Sequence, residues 1–317
     1  MKKQENRSHA FDLVGQCYAT ENKNEVAITY YFAAIENDLS CVSARHNLGL
    51  SYMSLARDHL NSHLENCFIL LKNAHIALNS ALEICVNNPM LLQTTARWHE
   101  QYIELLKKLS KEKETQEDIS VNFICAIHYY REALTHCQKE DIALKKIITE
   151  NLAECYAQFG NHLYQNEEYE KAQELYSLVL ESDQNHIPAL NQTGMCSFKQ
   201  GMYIEARKKF TTILKQTIET QDQADAWLKI ACCYRFEKNW DEAERSLSEA
   251  RQLTSQAPSI DEELEKLRLA KSQTLLAETD QVFFGLKQNN ISSSSRNEDG
   301  MQLNLDITRD MDSKIYI

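Results

Sequence analysis

Two consecutive segments of the chain, each 34 residues long, align residue by residue. They are AECYAQFGNHLYQNEEYEKAQELYSLVLESDQNH, residues 153–186, and IPALNQTGMCSFKQGMYIEARKKFTTILKQTIET, residues 187–220. Four positions match with the same offset: Gly160 and Gly194, Tyr169 and Tyr203, Ala172 and Ala206, Tyr176 and Phe210. A repeat of this length restricts the chain to architectures in which similar units stack side by side.

The composition indicates that the repeated units are helical. The 317 residues include only 7 glycines and 3 prolines, although a sheet protein needs both for its many turns. Leucine, alanine, glutamate, lysine and glutamine, which favour helices, are abundant. Apolar residues make up 43% of the chain, which is typical of a globular protein. The sequence therefore predicts helices joined by short links.

A third copy of the pattern follows after a slightly longer loop. Trp227, Ile230, Ala231 and Tyr234 are followed by Ala243 and Leu247. The same internal spacing occurs near the N-terminus, in Phe11, Val14, Gly15, Tyr18, Ala27 and Tyr31. These positions resemble the W-x2-L-G-x2-Y and A-x3-F pattern of the tetratricopeptide repeat family, whose units are 34 residues long.

The resemblance implies an all-α fold, a right-handed superhelical solenoid of antiparallel helix pairs. We predict an array over residues 1–258 with about six repeats, at 8–41, 42–86, 88–140, 153–186, 187–220 and 224–257. The unit at 88–140 is irregular, and the charged stretch 107–118 is predicted to be a surface loop. Ile260, Leu264 and Leu267 form an apolar stripe, so 259–288 is predicted to be a capping helix. Residues 289–317 lose this periodicity and are predicted to be a flexible tail.

In this family the first helix of each repeat lines a concave groove that holds a partner protein. The resemblance therefore places partner-binding residues on three successive first helices, at Asn161, Tyr164, Gln165, Asn191, Met195, Phe198, Lys199, Lys229 and Arg235, with Leu228 and Cys232 beside them. Amide side chains can hydrogen-bond an extended peptide, and aromatic and methionine side chains can form adaptable apolar pockets. For each of these residues, solvation or packing between repeats is an equal alternative.

Some members of the family grip a C-terminal carboxylate with lysine, asparagine and arginine. The corresponding positions here are Ala157, Asn161, Gln192, Asp225 and Lys229. Only Asn161 matches outright and Lys229 keeps the charge, whereas Asp225 is an anion. Too little positive charge is present to hold a carboxylate, so the sequence argues against this clamp.

No motif for catalysis, metal binding or cofactor binding occurs in the sequence. It contains no glycine-rich phosphate loop, no H-E-x-x-H, no C-x-x-C and no G-x-S-x-G. We therefore predict no catalytic residue, no metal and no cofactor, and a protein that is not an enzyme.

The net charge and the cysteines indicate which classes of partner and which cellular compartment to expect. The formal charge is −12, and an acidic surface repels nucleic acid and anionic lipid. No apolar run is long enough for a membrane span, and no early segment resembles a secretory signal. The ten cysteines are scattered, as in a reduced, cytoplasmic protein. The sequence predicts neither nucleic-acid binding nor membrane insertion.

The predicted function is a scaffold or adaptor that holds a peptide or helix of another protein in its groove. Alternatives stay open: a homodimer that associates through its terminal helix or helices near 60–85, a chaperone, or a secreted effector. An enzyme with a site in the irregular middle region is a further alternative.

Overall fold

The computed structural model describes residues 2–109, 113–254 and 258–294. These residues form thirteen α-helices and no strand, which confirms the predicted all-α class. The helices are α1 (Lys2–Thr20), α2 (Asn24–Asn37), α3 (Val42–His59), α4 (Leu64–Leu82), α5 (Pro89–Leu109), α6 (Lys113–His136), α7 (Ile142–Gln165), α8 (Tyr169–Ser182), α9 (Ile187–Lys199), α10 (Tyr203–Gln216), α11 (Thr220–Phe236), α12 (Trp240–Leu253) and α13 (Pro258–Ser294).

The first twelve helices pack as six successive pairs, α1 with α2 through α11 with α12. Each second helix also packs against the first helix of the next pair, so the pairs form a continuous stack. One pair alone would leave an apolar face exposed, and the neighbouring pair covers it. The fold is therefore a solenoid of helix pairs.

The second helix of every pair carries the same buried triplet, with residues at positions i, i+4 and i+7. Because 3.6 residues make one turn, these three side chains lie on one face and point into the pair. Each is at most 2% exposed: Ala27, Tyr31 and Ala34; Ala74, Leu78 and Ala81; Ala126, Tyr130 and Ala133; Ala172, Tyr176 and Val179; Ala206, Phe210 and Ile213; Ala243, Leu247 and Ala250. The irregular middle pairs therefore keep the core of the regular ones, although their helices are longer.

Four of the turns within a pair contain a residue with a left-handed backbone. The residue ends the turn after the first helix and has φ between 60° and 76°: Asn22, Glu167, Gly201 and Lys238. Glycine adopts this conformation without steric cost, whereas lysine and glutamate adopt it only at a cost in free energy. The same tight turn therefore recurs at corresponding positions of four pairs.

The last helix, α13, packs against both helices of the sixth pair. Ile260 and Leu267 are buried among Ala231 of α11 and Leu247 and Ala250 of α12. The helix continues well beyond these contacts. Leu269, Leu275 and Leu276 on its described part are 56–65% exposed. α13 therefore packs on the sixth pair and also presents apolar side chains to solvent.

Two boundaries differ from the prediction. The segment predicted as a loop at 107–118 is helical up to Leu109 and again from Lys113, because α5 and α6 are each longer than an ordinary repeat helix. α13 extends to Ser294, past the predicted end at 288. The rest of the predicted tail, 295–317, lies outside the described residues. Among the described helices, none has the length and apolar content that a bilayer span requires.

Candidate partner-binding groove

The first helices of the pairs form one layer of the stack. α1 contacts α3, α3 contacts α5, and α7 contacts α9, whereas the described second helices approach one another less closely. The first helices therefore form one layer of the solenoid, which we call the inner layer. All nine residues predicted to bind a partner are on three of these helices, α7, α9 and α11.

On α7, the three predicted residues have different environments. Asn161 is exposed, and its Oδ1 accepts a 2.7 Å hydrogen bond from the hydroxyl of Tyr176 in α8. The half-buried ring of Tyr164 meets the Tyr169 ring edge-on, with 5.2 Å between centroids, and burial raises the pKa of its phenol. Gln165 is exposed. Asn161 thus has a structural partner already, and Gln165 is free to meet a ligand.

On α9, apolar residues pack between pairs while polar residues face outward. Met195 and Phe198 are half-buried against the core shared by α9, α10 and α11. The ring of Phe198 lies 5.2 Å from that of Phe236. Lys199 is exposed, and Asn191 is partly exposed. Met195 and Phe198 therefore contribute mainly to packing between repeats.

On α11, Arg235 is already engaged. Its Nε donates to Oε1 of Glu263 on α13 across 2.5 Å, and the Glu263 side chain is 7% exposed. Its guanidinium also lies over the Phe236 ring. The structure therefore uses Arg235 to attach α13, away from the other predicted cations.

Asn191 and Lys229 are brought together in a cavity between α9 and α11. The cavity has a volume of about 280 Å³. Its lining comprises Ile187, Pro188, Asn191, Ile213, Asp222, Asp225, Ala226 and Lys229. The α9 side is thus apolar apart from the Asn191 amide, and the α11 side carries two carboxylates and an ammonium group.

Two polar groups in this cavity have no partner in the described part of the chain. Oδ1 of Asn191 is buried and accepts no hydrogen bond. The half-buried ammonium of Lys229 forms no ion pair or hydrogen bond. Burial lowers the pKa of Lys229, and the charges of Asp225 and Asp222 oppose that shift. An unsatisfied buried acceptor costs free energy, so Asn191 Oδ1 is suited to accept a hydrogen bond from a ligand, whereas the half-buried ammonium of Lys229 reaches solvent.

A second cavity, which we call the outer groove, lies between α6, α7 and α8. It has a volume of about 620 Å³ and is largely apolar. Val121 and Ile124 of α6 form its rim, and Phe159 and Leu163 of α7 lie in its floor. Val121 is 55% and Ile124 58% exposed. This outer groove is a competing place for an apolar ligand.

The contact that brings the two helices of a pair together recurs with the sequence period. A Cβ added to Gly160 would lie 2.7 Å from Tyr176, and one added to Gly194 would lie 2.5 Å from Phe210. The two contacts are 34 residues apart, since 194 − 160 = 34 and 210 − 176 = 34. Gly15 meets Tyr31 and Gly49 meets Leu78 in the same way. The chain therefore repeats one helix-pair unit with a 34-residue period, as its resemblance to the tetratricopeptide repeat family predicts.

Comparison with known proteins adds fold similarity at low sequence identity. No protein-family model and no curated protein matches the sequence. A crystal structure of MamA is 18% identical, covers 68% of this chain and 93% of its own, and has a TM-score of 0.44. YrrB, described as a TPR protein with an unusual peptide-binding site, is 17% identical, with coverages of 80% and 90% and a TM-score of 0.32. A tetratricopeptide repeat protein from Parabacteroides merdae is 14% identical, with coverages of 84% and 88% and a TM-score of 0.43. The helix-pair repeat rests on the repeated contact within this chain.

Metal and thiol chemistry find no support in the described side chains. No three histidine, cysteine, aspartate or glutamate residues converge there to hold a metal ion. Burial raises the pKa of the neighbouring thiols of Cys232 and Cys233 to about 12 each. Thiols with such pKa values are protonated at neutral pH and are weak nucleophiles.

The sequence prediction missed several residues of the inner cavity, chiefly Asp222, Ile187 and Pro188. The sequence predicts the last repeat to begin at 224, whereas α11 begins at Thr220 and includes Asp222. Acidic residues are favoured in the first turn of a helix. That preference was the available signal that Asp222 belongs to α11.

Proposed function

We propose that this protein is a non-enzymatic scaffold that holds a peptide or helix of another protein in its inner groove, along α7, α9 and α11. The observation that carries the proposal is the cavity between α9 and α11, where Asn191 and Lys229 have no partner within the described residues. The exposed side chains of Gln165 and Lys199 extend the polar surface on either side. The proposal includes a right-handed superhelix capped by α13.

The tetratricopeptide-type fold supports protein binding in general, and the polar inner layer favours a polypeptide ligand. Amides and ammonium groups on adjacent first helices can bond the backbone of an extended chain. The net charge of −12 disfavours nucleic acid. We place the protein in the cytoplasm, as its ten free cysteines favour.

Site-specific photo-crosslinking in cells tests the groove directly. A photoreactive amino acid replaces Gln165 or Lys199 on the inner side, and Ile124 provides the matched position at the outer groove. We expect one partner protein to be crosslinked from both inner positions and not from Ile124. The crosslinked segment is then synthesised and its affinity for the purified chain measured.

The variant Asn191→Ala/Lys229→Met should weaken binding of that segment by at least about tenfold, since each lost polar contact contributes roughly 1 kcal/mol or more. The control Asn185→Ala/Lys215→Met makes matched changes outside the cavity. Crosslinking from Ile124 alone, or unchanged affinity in the cavity variant, would show that the inner groove is not the binding site.

Self-association through α13 is a second candidate function. It is favoured by Leu269, Leu275 and Leu276, which are exposed on one helix that extends beyond its contacts with the array. Leu269→Lys/Leu276→Lys should convert a dimer to a monomer in light scattering. A wild-type chain that is monomeric at high concentration excludes this candidate.

A further inference from the structure

The charges around the inner cavity are not those of a carboxylate-binding site. Asp222 and Asp225 stand one turn apart on α11, and Lys229 follows Asp225 by one further turn. The lining therefore carries two negative charges and one positive charge. A bound anion would meet net repulsion here.

The two carboxylates form no ion pair within the described residues, although both attract the ammonium of Lys229 on the same helix. No lysine, arginine or histidine of the described residues forms an ion pair with Asp222 or Asp225. Asp225 accepts a 3.0 Å hydrogen bond from the amide of Gln221, and Asp222 a 3.5 Å bond from the hydroxyl of Thr217. Both donors are neutral, so the ammonium of Lys229 compensates only part of the negative charge.

The remaining walls suit a long side chain with a charged end. Oδ1 of Asn191 is a buried acceptor that lacks a donor. Ile187, Pro188 and the buried Ile213 offer an apolar surface beside it. Arginine and lysine side chains pack an aliphatic stem against such a surface while the head donates hydrogen bonds.

We propose that the cavity between α9 and α11 binds a basic side chain, arginine or lysine, of the partner polypeptide. The carboxylates of Asp222 and Asp225 accept hydrogen bonds from its head, Asn191 Oδ1 accepts another, and Ile187 and Pro188 cover its stem. This inference rests on the proposed scaffold function and names the partner chemistry at one subsite. The ammonium of Lys229 bonds the neighbouring peptide carbonyl and disfavours a second cation.

Methyl NMR of the full chain, labelled at isoleucine, tests the subsite with defined probes. The probes are acetyl-Gly-X-Gly-amide peptides in which X is arginine, lysine, norleucine or glutamate. The methyl signals of Ile187 and Ile213 report the cavity, and those of Ile204 and Ile124 report surfaces elsewhere. The arginine and lysine peptides should shift the first two signals in a saturable way. The norleucine and glutamate peptides should not.

Charge variants test whether the carboxylates of Asp222 and Asp225 bind the basic probes. Asp222→Asn/Asp225→Asn should weaken arginine-peptide binding by about tenfold or more, since each charge near a protein surface is worth about one kcal/mol or more. Lys229→Met should weaken that binding less, since loss of the bond to the peptide carbonyl is partly offset by relief of the repulsion between the two cations. The control Asp241→Asn removes a charge from exposed α12 and should have no effect. Unshifted Ile187 and Ile213 signals with every probe would overturn the proposal, as would saturable binding of the glutamate peptide that Lys229→Met abolishes.

The two proposals fail in different ways. If a crosslinked partner binds the inner groove but no basic probe enters the cavity, the scaffold function stands and the basic subsite is wrong. If the basic probes bind but no partner is crosslinked from the inner positions, the subsite stands and the groove function is wrong.

Discussion

The phenol of Tyr130, fully buried in α6, donates a 2.9 Å hydrogen bond to Oε2 of Glu100 in α5. Burial raises the pKa of the Glu100 carboxyl to about 7, and the nearby charge of Glu154 adds to the rise. The Tyr130 hydrogen bond and the positive charge of Arg97 oppose it without cancelling it. A carboxyl that titrates near neutrality therefore lies at the centre of the array.

Glu100→Gln should stabilise the protein above neutral pH. The folded state favours protonated Glu100, so this carboxyl stabilises the fold below about pH 4.5 and loses that contribution as pH rises through about 7. Glutamine keeps an acceptor for Tyr130 and cannot ionise. Because Glu100 is partly exposed, we expect a gain of about 1–3 kcal/mol in unfolding free energy at roughly pH 8, and little change at roughly pH 4.

Urea unfolding at both pH values measures this effect. Glu104→Gln, an exposed carboxyl on the same helix, is the control and should change neither value appreciably. An equal loss of stability at both pH values in Glu100→Gln would contradict the argument.

Gly194→Ala should destabilise the fifth pair, because the new Cβ would lie 2.5 Å from Cε1 of Phe210. Overpacking of this kind costs about 1–3 kcal/mol, part of which is offset by the higher helix propensity of alanine, about 1 kcal/mol. The sixth pair accommodates an alanine at this position, because a leucine faces it instead of a phenylalanine. Ala231 and Leu247 occupy the corresponding positions there, and both are buried.

The double variant Gly194→Ala/Phe210→Leu should therefore recover part of the stability lost by Gly194→Ala. Thermal unfolding of the two single variants and the double variant gives the coupling energy between the positions. Strictly additive effects would show that the close approach does not constrain residue 194.

Lys238→Gly should stabilise the turn between α11 and α12. Lys238 has φ of 60°, a left-handed conformation that costs a residue with a Cβ roughly 1–2 kcal/mol. Glycine loses more backbone entropy on folding, so the net gain should be about 0.5–1 kcal/mol. Gly201 occupies the equivalent turn with φ of 76°. Gly201→Lys is the reciprocal change and should lower the unfolding temperature, whereas Lys238→Gly should raise it.

Arg235→Met should loosen α13. The Arg235–Glu263 pair is largely buried, and removal of one partner leaves a carboxylate without compensation, at a cost of about 3–5 kcal/mol. Hydrogen exchange in residues 258–277 should accelerate, while exchange in α7 and α8 should not. The exposed pair Arg245–Glu242 provides the control variant Arg245→Met, with little expected effect.

Arg235→Met/Glu263→Met should restore slow exchange in α13, because no buried charge is left unpaired. If Arg235→Met leaves exchange in α13 unchanged and only weakens partner binding, Arg235 is a groove residue, as the sequence predicted.

The sequence by itself determined the fold class and the helix pairs. The triplet Ala172, Tyr176 and Val179 and the glycine that faces it are close in sequence and recur with the period, so local spacing predicts their burial. The register of α5 could not be predicted, because the long helices of the middle pairs break the 34-residue spacing there.

The candidate site was decided by tertiary structure. Arg235 and Glu263 are 28 residues apart, and only the packing of α13 against α11 shows that this predicted groove residue is already paired. Asn191 and Lys229 belong to different repeats. They line the same cavity as Asp222 because α9 and α11 lie side by side. Helical periodicity determines which side of a helix is apolar, whereas partners of polar side chains depend on how separate helices meet.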